Sequence, residues 1–415
     1  MSSSLVAIGL GAAVGAATAE LAHSTDAHYH DAVRPLARDR RSGSATREEV
    51  ATYAWGVSWR FVCFFAAPFS LLTGAVVSHL LFLPAEVLAI RAVRRLAALA
   101  AGALVGAAAV AAAILGREAL DGLGVGFEQH LAQLVNPVLW LYPLVPALAA
   151  TKLSAPVRGT LATALAGGAA AAAAALAGHD DAAAPAAAAA STAALLAFQL
   201  ARTPAIRPEH APGAAADRHV RHGLPALLVV GAGVAALAAM SRLAGDPLAA
   251  VLLAGDHLAD AAAVALLIFL SMLPLVSVST VASDSYSTQG TPDLVPAVGY
   301  MLAGVGPLAA AAGGVLAMLA EVTARQRSTR LIMSRPVLSE IASAIRDALG
   351  DVMLLALLVG GLALAAAVAG PIGFLVAGAA WLLNEQAGRP VTRLAVTPLA
   401  ALVVTLGAEL WRIVA

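Results

Sequence analysis

The feature that most constrains this chain is a succession of apolar runs, each about as long as a membrane is thick. Runs such as 96–115 and 391–412 hold close to the roughly 20 helical residues that cross the hydrocarbon core of a bilayer. Of the 415 residues, 60% are apolar and only 12% are charged, which is well below the charged share of an ordinary soluble domain. Backbone in lipid has to satisfy its own hydrogen bonds, and a helix does so within one segment. The sequence therefore predicts an all-α polytopic membrane protein.

Polar breaks between the apolar runs divide the chain into candidate spans. In the first half these are 5–22, 50–67, 69–90, 96–115, 134–151, 157–177 and 186–201. In the second half the clear candidates are 224–242, 259–273, 299–320, 352–369, 371–384 and 391–412. The stretch 274–298 is half apolar and half polar, and its treatment decides the topology.

Positive charges in the loops indicate whether 274–298 crosses the membrane. The arginine-rich segment after the first run is expected in the cytoplasm, because cytoplasmic loops collect Lys and Arg. If successive loops alternate between the two faces of the membrane, the charges of every loop in the first half agree with this rule, and the acidic segment 116–130 lies outside. The arginine-rich segment 322–346 returns to the cytoplasm only if 274–298 crosses. We therefore predict about 14 spans, and the alternative is about 11–13 spans with a re-entrant segment at 274–296.

An odd number of spans in each half implies that the two halves run through the membrane in opposite directions. We expect two inverted repeats of seven spans, 1–201 and 224–415, joined by a cytoplasmic linker at 202–223. The third span of each repeat is expected to be broken and is marked by prolines, namely Pro68, Pro84, Pro274 and Pro292. Two interrupted spans at corresponding positions of inverted halves indicate a transporter's binding site near the membrane midplane.

Polar residues cluster in these two interrupted segments. Irregular backbone at membrane depth has to line a cavity or be buried in protein, and an ionisable residue there is a functional candidate. The candidates for binding a solute or an ion are Asp284, Ser283, Tyr286, Gln289, Thr291, Asp293, Glu86 and His79. Asp284 is the predicted carrier of H⁺ or Na⁺, with Glu86 in reserve. The alternatives are an interfacial loop at 274–296 and, for Glu86, a side chain that reaches to the membrane interface.

A second polar group lies at the end of the first run and before the last one. The residues predicted to cap spans or to form a cytoplasmic gate are Glu20, His23, His30, Asp31, Arg34, Asn384, Glu385 and Arg389. In such a gate Arg34 pairs with Asp31, and Arg389 pairs with Glu385. The histidines and aspartates between positions 23 and 31 have the composition of a zinc site, but nothing fixes their geometry. We predict no metal, and no cofactor apart from the coupling ion.

Three motifs in this chain resemble the YhfT family of bacterial multi-pass membrane proteins. They are A-H, six residues and H-D-x-x-R-P from Ala22 to Pro35; N-E-x-x-G-R-P-V from Asn384 to Val391; and L-F-L-P with an acid two positions later, from Leu81 to Glu86. His28 falls at a variable position of the first motif. The resemblance covers nearly the whole chain except 178–222. It implies a transporter of unknown substrate in the bacterial plasma membrane, encoded among enzymes that suit a small amino-acid-like or phosphorylated metabolite.

The leading prediction is a secondary active transporter of a small polar metabolite. It would be driven by H⁺ or Na⁺, with alternating access around a midplane site between 69–90 and 274–296. No motif for ATP coupling is present, and a formal net charge of zero does not indicate a nucleic-acid partner. The alternatives are a membrane enzyme with a His/Asp site near 23–34 and a membrane scaffold that docks partners on 322–346. The lipid bilayer is the implied partner, and a homo-oligomer stays open. Similarity of the plan to nucleobase and anion transporters is an analogy of fold.

Overall fold

The computed structural model describes residues 2–24, 27–29, 33–122, 127–205, 216–283, 286–288 and 291–414. Within these residues, ten helical stretches are long and apolar enough to cross a membrane, and Arg393–Ala408 is a shorter apolar helix. The protein is therefore a multi-pass α-helical membrane protein, as the composition predicts.

The first half of the chain is a series of helices joined by short turns. They are α1 (Ser2–Ser24), α2 (Val33–Ser42), α3 (Arg47–Phe61), α4 (Ala67–Thr73), α5 (Ser78–Arg91), α6 (Arg95–Gly122), α7 (Phe127–Leu141), α8 (Val145–Thr151), α9 (Pro156–Leu176) and α10 (Ala183–Arg202). A π-helical turn, Val62–Ala66, carries α3 directly into α4. Two 3-10 turns, Tyr142–Leu144 and Asp180–Ala182, precede α8 and α10.

The second half has fewer and longer helices. They are α11 (Ala216–Ala239), α12 (Pro247–Ala254), α13 (Leu258–Ser283), α14 (Thr291–Met301), α15 (Pro307–Ser334), α16 (Val337–Gln386) and α17 (Arg393–Val414). Helix α16 is kinked, since Ala369 and Gly370 leave the helical conformation immediately before Pro371. Proline cannot donate the next helical hydrogen bond, so the chain behaves there as two consecutive helices.

Four two-residue strands form two parallel pairs. β1 (Ala27–His28) pairs with β4 (Tyr286–Ser287), and β2 (Val76–Val77) pairs with β3 (Leu243–Ala244). Each pair thus joins a strand from the first half of the chain to one from the second half. β2 lies between α4 and α5, and β4 lies between α13 and α14, so each interrupts a helical path.

The interrupting strands β2 and β4 lie within the two segments predicted to be broken, 69–90 and 274–298, between their prolines and not at them. Pro68 lies in the first turn of α4 within the continuous stretch Arg47–Thr73, and Pro274 lies inside α13. The first break instead follows Gly74, whose φ of 72° is a left-handed conformation that favours glycine. In a membrane protein the neighbouring helices can satisfy the backbone group that a proline frees. A proline alone therefore does not end a helix here.

The structure also corrects two predicted spans and one predicted loop. The span expected at 259–273 is part of α13, which continues to Ser283, and the span expected at 299–320 begins only at Pro307. The segment 322–346, expected as a cytoplasmic loop, is helical on both sides of a short turn at 335–336. Charged residues end the apolar run in α15, but they do not end the helix.

The helices pack as two bundles. In one, α1, α5, α6, α11, α14 and α15 surround the strands, and α1 packs directly against α11. In the other, α7, α8, α9, α10, α16 and α17 pack together. Helix α13 contacts members of both bundles, so it lies at their boundary. The β1–β4 pair packs with the first bundle, and the β2–β3 pair contacts the cores of both bundles.

Candidate functional site

The residues that directly follow the four strands are joined by hydrogen bonds. These residues are Tyr29, Ser78, Gly245 and Thr288. The Ser78 hydroxyl donates to the Gly245 carbonyl oxygen at 2.6 Å, so its oxygen accepts from the Tyr29 hydroxyl at 3.1 Å. The Thr288 amide donates to the His28 carbonyl oxygen at 3.0 Å. We call this set the strand-end network; it ties the start of α5, at Ser78, to the ends of β1 and β3, and ties the end of β4 to β1.

A buried histidine–carboxylate pair lies beside the strand-end network. His28 Nδ1 is 2.8 Å from Glu86 Oε1, and both side chains are almost completely buried. The alternative in which Glu86 reaches to the membrane interface is therefore wrong. His28 Nε2 and the Thr288 hydroxyl are buried and have no hydrogen-bond partner among the described residues. Buried polar groups are nearly always hydrogen-bonded, so two unsatisfied groups on one strand pair call for an explanation.

His79, the other predicted ligand on α5, lies among aromatic rings. Its ring centroid is 5.5 Å from that of Tyr29, 5.6 Å from that of Phe61 and 6.0 Å from that of Phe65. Tyr29 also stacks on Phe82 with a centroid distance of 5.1 Å. These contacts fix the Tyr29 ring, whose hydroxyl belongs to the strand-end network. Direct binding of a solute by His79 stays a prediction.

A second buried polar group surrounds Asp293 in the first turn of α14. Asp293 is 5% exposed, and Asp246, Glu321 and Arg325 lie within its electrostatic range. Glu321 and Arg325, one turn apart on α15, form an ion pair. Asp246 caps α12, because its Oδ1 accepts from two backbone amides at 2.7 and 3.2 Å. We call these four residues the buried charge cluster.

Asp246 and Arg325 each lie at the end of an apolar run, where a charged residue is expected in a loop, but the structure buries both. Asp246 is 7% exposed and Arg325 is 3% exposed. Two signals for this were present in the sequence. Aspartate directly before Pro247 is a typical helix start, and Glu321 four residues before Arg325 is the spacing of an ion pair on one helix face.

The other predicted solute ligands can be placed only in part. Asp284 and Gln289 lie outside the described residues. Ser283 ends α13, Tyr286 belongs to β4 and Thr291 begins α14. Their backbone positions therefore border the interruption between α13 and α14, as predicted, and their binding roles stay predictions.

At the end of α1, the predicted cap residues have partners in different places. Glu20 forms an ion pair with Arg95 at 2.8 Å, and His23 Nδ1 lies 3.3 Å from a backbone carbonyl oxygen of α5. The His23 carbonyl oxygen in turn accepts from Arg40 on α2 at 3.4 Å. Burial and the neighbouring Arg47 lower the pKa of Arg40. This end of α1 is thus tied to three other helices.

Arg34 is completely buried in α2, although sequence reasoning counted it among loop arginines. His30 and Asp31 lie outside the described residues, so the predicted pairing of Arg34 with Asp31 stays a prediction. That His23, His28 and His30 bind no metal stays a prediction.

The second predicted cap closes the turn between α16 and α17. The Asn384 side chain donates to the Val391 carbonyl oxygen and accepts from the Val391 amide, both at 3.0 Å. The predicted pair of Glu385 with Arg389 is present at 3.0 Å, and Arg393, which sequence reasoning missed, binds Glu385 at 2.7 Å. These bonds make the segment a cap of the helix turn. Its role as a gate stays a prediction.

Comparison with known proteins assigns nearly the whole chain to one family. The model of the YhfT family, described as a protein of unknown function, matches residues 7–201 and 211–414. The chain belongs to the YhfT family. A YhfT relative, the uncharacterized protein YhfT of Escherichia coli (strain K12), is 27% identical over 407 residues, covering 94% of this chain and 93% of the relative. No solved structure matches the chain.

Two of the three YhfT motifs meet in the structure. The motif from Ala22 to Pro35 runs from the end of α1 through β1 into α2, and the motif from Leu81 to Glu86 lies on α5. His28, at a variable position of the first motif, bonds to Glu86, the acid of the other. In this YhfT-family protein the segments that carry these two motifs therefore contact each other beside the strand-end network, through a residue that the first motif does not specify.

Proposed function

We propose that this YhfT-family protein is a secondary active transporter of a small polar metabolite, located in the bacterial plasma membrane. The observation that supports this best concerns the strands that interrupt the helices. In each half of the chain a helical path is interrupted by a short strand, and that strand pairs with a strand of the other half. Broken helices at membrane depth expose backbone groups and helix N-termini to a solute. The proposed site therefore lies between 69–90 and 274–296, and access to it alternates between the two membrane faces.

The order of elements supports the proposed repeats, 1–201 and 224–415 with a linker at 202–223. The order α1, β1, β2, α5 and α6 recurs in the second half as α11, β3, β4, α14 and α15. In this correspondence β1 is equivalent to β3, and β2 is equivalent to β4. The pair β1–β4 is therefore equivalent to the pair β3–β2, and both pairs are observed. This is the pattern expected of two repeats related by a two-fold axis. With seven spans in each, the repeats would be inverted.

Glycine contacts support the same correspondence. A Cβ added to Gly15 on α1 would overlap the carbonyl oxygen of Gly102 on α6. A Cβ added to Gly314 on α15 would overlap the carbonyl oxygen of Gly231 on α11. The equivalent helix pairs of the two halves thus approach each other closely at equivalent glycines, as small residues allow in membranes.

The unsatisfied groups on the β1–β4 pair suit a polar solute. His28 Nε2 and the Thr288 hydroxyl are each without a hydrogen-bond partner among the described residues, and both are buried. A metabolite with hydrogen-bonding groups would supply a partner for His28 Nε2 and for the Thr288 hydroxyl. The hydrogen bond to Glu86 would fix the orientation of the His28 imidazole. Movement of the bundle that holds this site against the other bundle would expose it to either side. H⁺ or Na⁺ would drive the cycle.

Transport can be tested before the coupling ion is known. Purified protein is screened for thermal stabilisation by a library of polar metabolites, and each stabilising compound is then tested for counterflow into preloaded proteoliposomes. We expect protein-dependent counterflow of at least one compound. Thr288→Val should reduce it, because the valine cannot complete the hydrogen bond.

The matched control is Thr163→Val, since Thr163 is equally buried but its hydroxyl donates to a carbonyl oxygen within α9. This variant should keep counterflow. A stabilising compound that is chemically converted, and not exchanged, would favour the membrane enzyme. Counterflow that is the same in both valine variants would remove the β1–β4 site from the proposal.

A further inference from the structure

We infer that Asp293 holds a proton in the resting protein, and that this proton is the ion coupled to transport. The role of this proton as the coupled ion rests on the proposed transporter function. The presence of the proton on Asp293 does not rest on that function, because it follows from the charges buried around α14.

The buried charge cluster has more acids than bases. All four of its side chains, Asp246, Asp293, Glu321 and Arg325, are more than nine-tenths buried. Arg325 is paired with Glu321, and this pair is neutral as a whole. Two carboxylates, Asp246 and Asp293, remain within electrostatic range of each other. The described residues place no second cation beside these two carboxylates; two such buried negative charges are very unfavourable, so the pair is expected to bind a proton or a cation.

The surroundings of the two carboxyl groups differ, and the difference assigns the proton. Oδ1 of Asp246 accepts two backbone hydrogen bonds at the N-terminus of α12, and such bonds favour the ionised form. Asp293 receives no hydrogen bond from the described residues. The N-terminus of α14 favours its ionised form, but a helix end acts over one turn and is weaker than the cost of burying an unpaired charge. Asp246 therefore keeps the charge and Asp293 keeps the proton.

The geometry favours a proton over a metal cation. Hard cations need several converging oxygen ligands, and among the described residues no group of three acidic, histidine or cysteine side chains converges closely enough to hold a metal ion. The charged and titratable groups that face Asp293 are Glu321 and Arg325 from α15, Asp246 from the turn before α12, and Tyr300 from α14 itself. The carboxylates Asp246 and Glu321 favour a proton on Asp293 from a distance, while Arg325 opposes it, and a proton needs no coordination shell.

The test reads the proton directly and needs no substrate. Infrared spectra of the purified full-length protein at neutral pH are compared for wild type and Asp293→Asn, in the band of protonated carboxylic acids. We expect a carboxylic-acid band in the wild type that the Asp293→Asn variant lacks. Asp293→Glu should show the band at a shifted position, which covers the case in which the asparagine variant does not fold. Glu385→Gln, which removes a carboxylate paired with two arginines, should leave the band unchanged.

Each outcome separates the inference from the proposed function. A wild-type spectrum identical to that of Asp293→Asn means that Asp293 is ionised and overturns the inference, whether or not counterflow is found. Thermal stabilisation by Na⁺ that disappears in Asp293→Asn identifies a cation site and also overturns it. A proton on Asp293 without counterflow of any metabolite defeats the transporter and leaves the proton site standing. With a known substrate, Asp293→Asn should keep counterflow but lose accumulation driven by a pH gradient.

Discussion

At the residue scale, loss of the buried His28–Glu86 contact should be costly. Glu86→Leu keeps a similar volume but removes the hydrogen bond that the described residues provide to Nδ1 of the buried imidazole. Such a change costs about 1–3 kcal/mol, because an unpaired buried polar group pays its full desolvation penalty. We expect a clearly lower thermal unfolding midpoint in detergent. The double variant His28→Leu with Glu86→Leu should recover part of the loss, because both polar groups are then gone.

The matched control for this pair is the ion pair of Glu48 with Arg91. It spans 3.5 Å, and its side chains are 74% and 44% exposed. Glu48→Leu should change stability by about 0.5 kcal/mol or less, as exposed ion pairs contribute little. Equal losses for the Glu48 and Glu86 variants would contradict the assignment of Glu86 as a buried structural partner.

Residue by residue, the sequence shows which charges are unusual but not where each one is buried. Glu86 could be predicted as a candidate because it interrupts an apolar run, whereas its partner His28 could not, since the two lie 58 positions apart. Asp246 and Arg325 were misplaced because charged residues at the ends of apolar runs look like loop residues. The helix cap at Asp246 and the ion pair of Arg325 with Glu321 could be inferred from local sequence, but the burial of these charges depends on packing between helices.

At the element scale, the contact of α1 with α6 depends on glycines. Gly15→Ala should destabilise the protein by about 1–3 kcal/mol, the usual cost of overpacking, because the new methyl group overlaps backbone of α6. Gly314→Ala should have an effect of similar size at the equivalent contact of α15 with α11. Thermal unfolding in detergent measures both.

Gly9→Ala is the control on the same helix, since a Cβ at Gly9 would meet nothing within 4 Å. It should be neutral or slightly stabilising, because alanine is the better helix former. A loss in the Gly9 variant equal to that in the Gly15 variant would show that the effect comes from helix propensity and not from close packing.

The helices and the two interrupted segments could be predicted largely from the apolar runs and the prolines, but the exact positions of the breaks could not. An apolar run reports how much of a segment is buried in lipid or protein, and it says little about where backbone pairs with backbone. Each strand has two residues, too few for any alternation of side chains to show. Pro274 suggested a break that α13 does not have, and Gly74 marks one that the prolines did not indicate.

At the scale of the whole molecule, the proposed inverted repeat makes a prediction about sidedness. Asp121 lies near the end of α6, and Arg327 lies in the later part of the corresponding helix α15; both are exposed. Inverted repeats place these two equivalent ends on opposite faces of the membrane. Between them the chain passes through α7 with α8, then α9, α10, α11, α13, the β4–α14 segment and α15. The number of crossings is odd only if the β4–α14 segment crosses.

Cysteine labelling decides between the two topologies. On a Cys63→Ala background, which removes the only cysteine, Asp121→Cys should react with a membrane-impermeant reagent added to intact cells, because the segment 116–130 is expected outside. Asp181→Cys, separated from position 121 by two crossings, is the positive control and should react as well. Arg327→Cys should react only after the membrane is permeabilised. Its labelling in intact cells would make the β4–α14 segment re-entrant, and the two halves could then not be inverted repeats of seven spans.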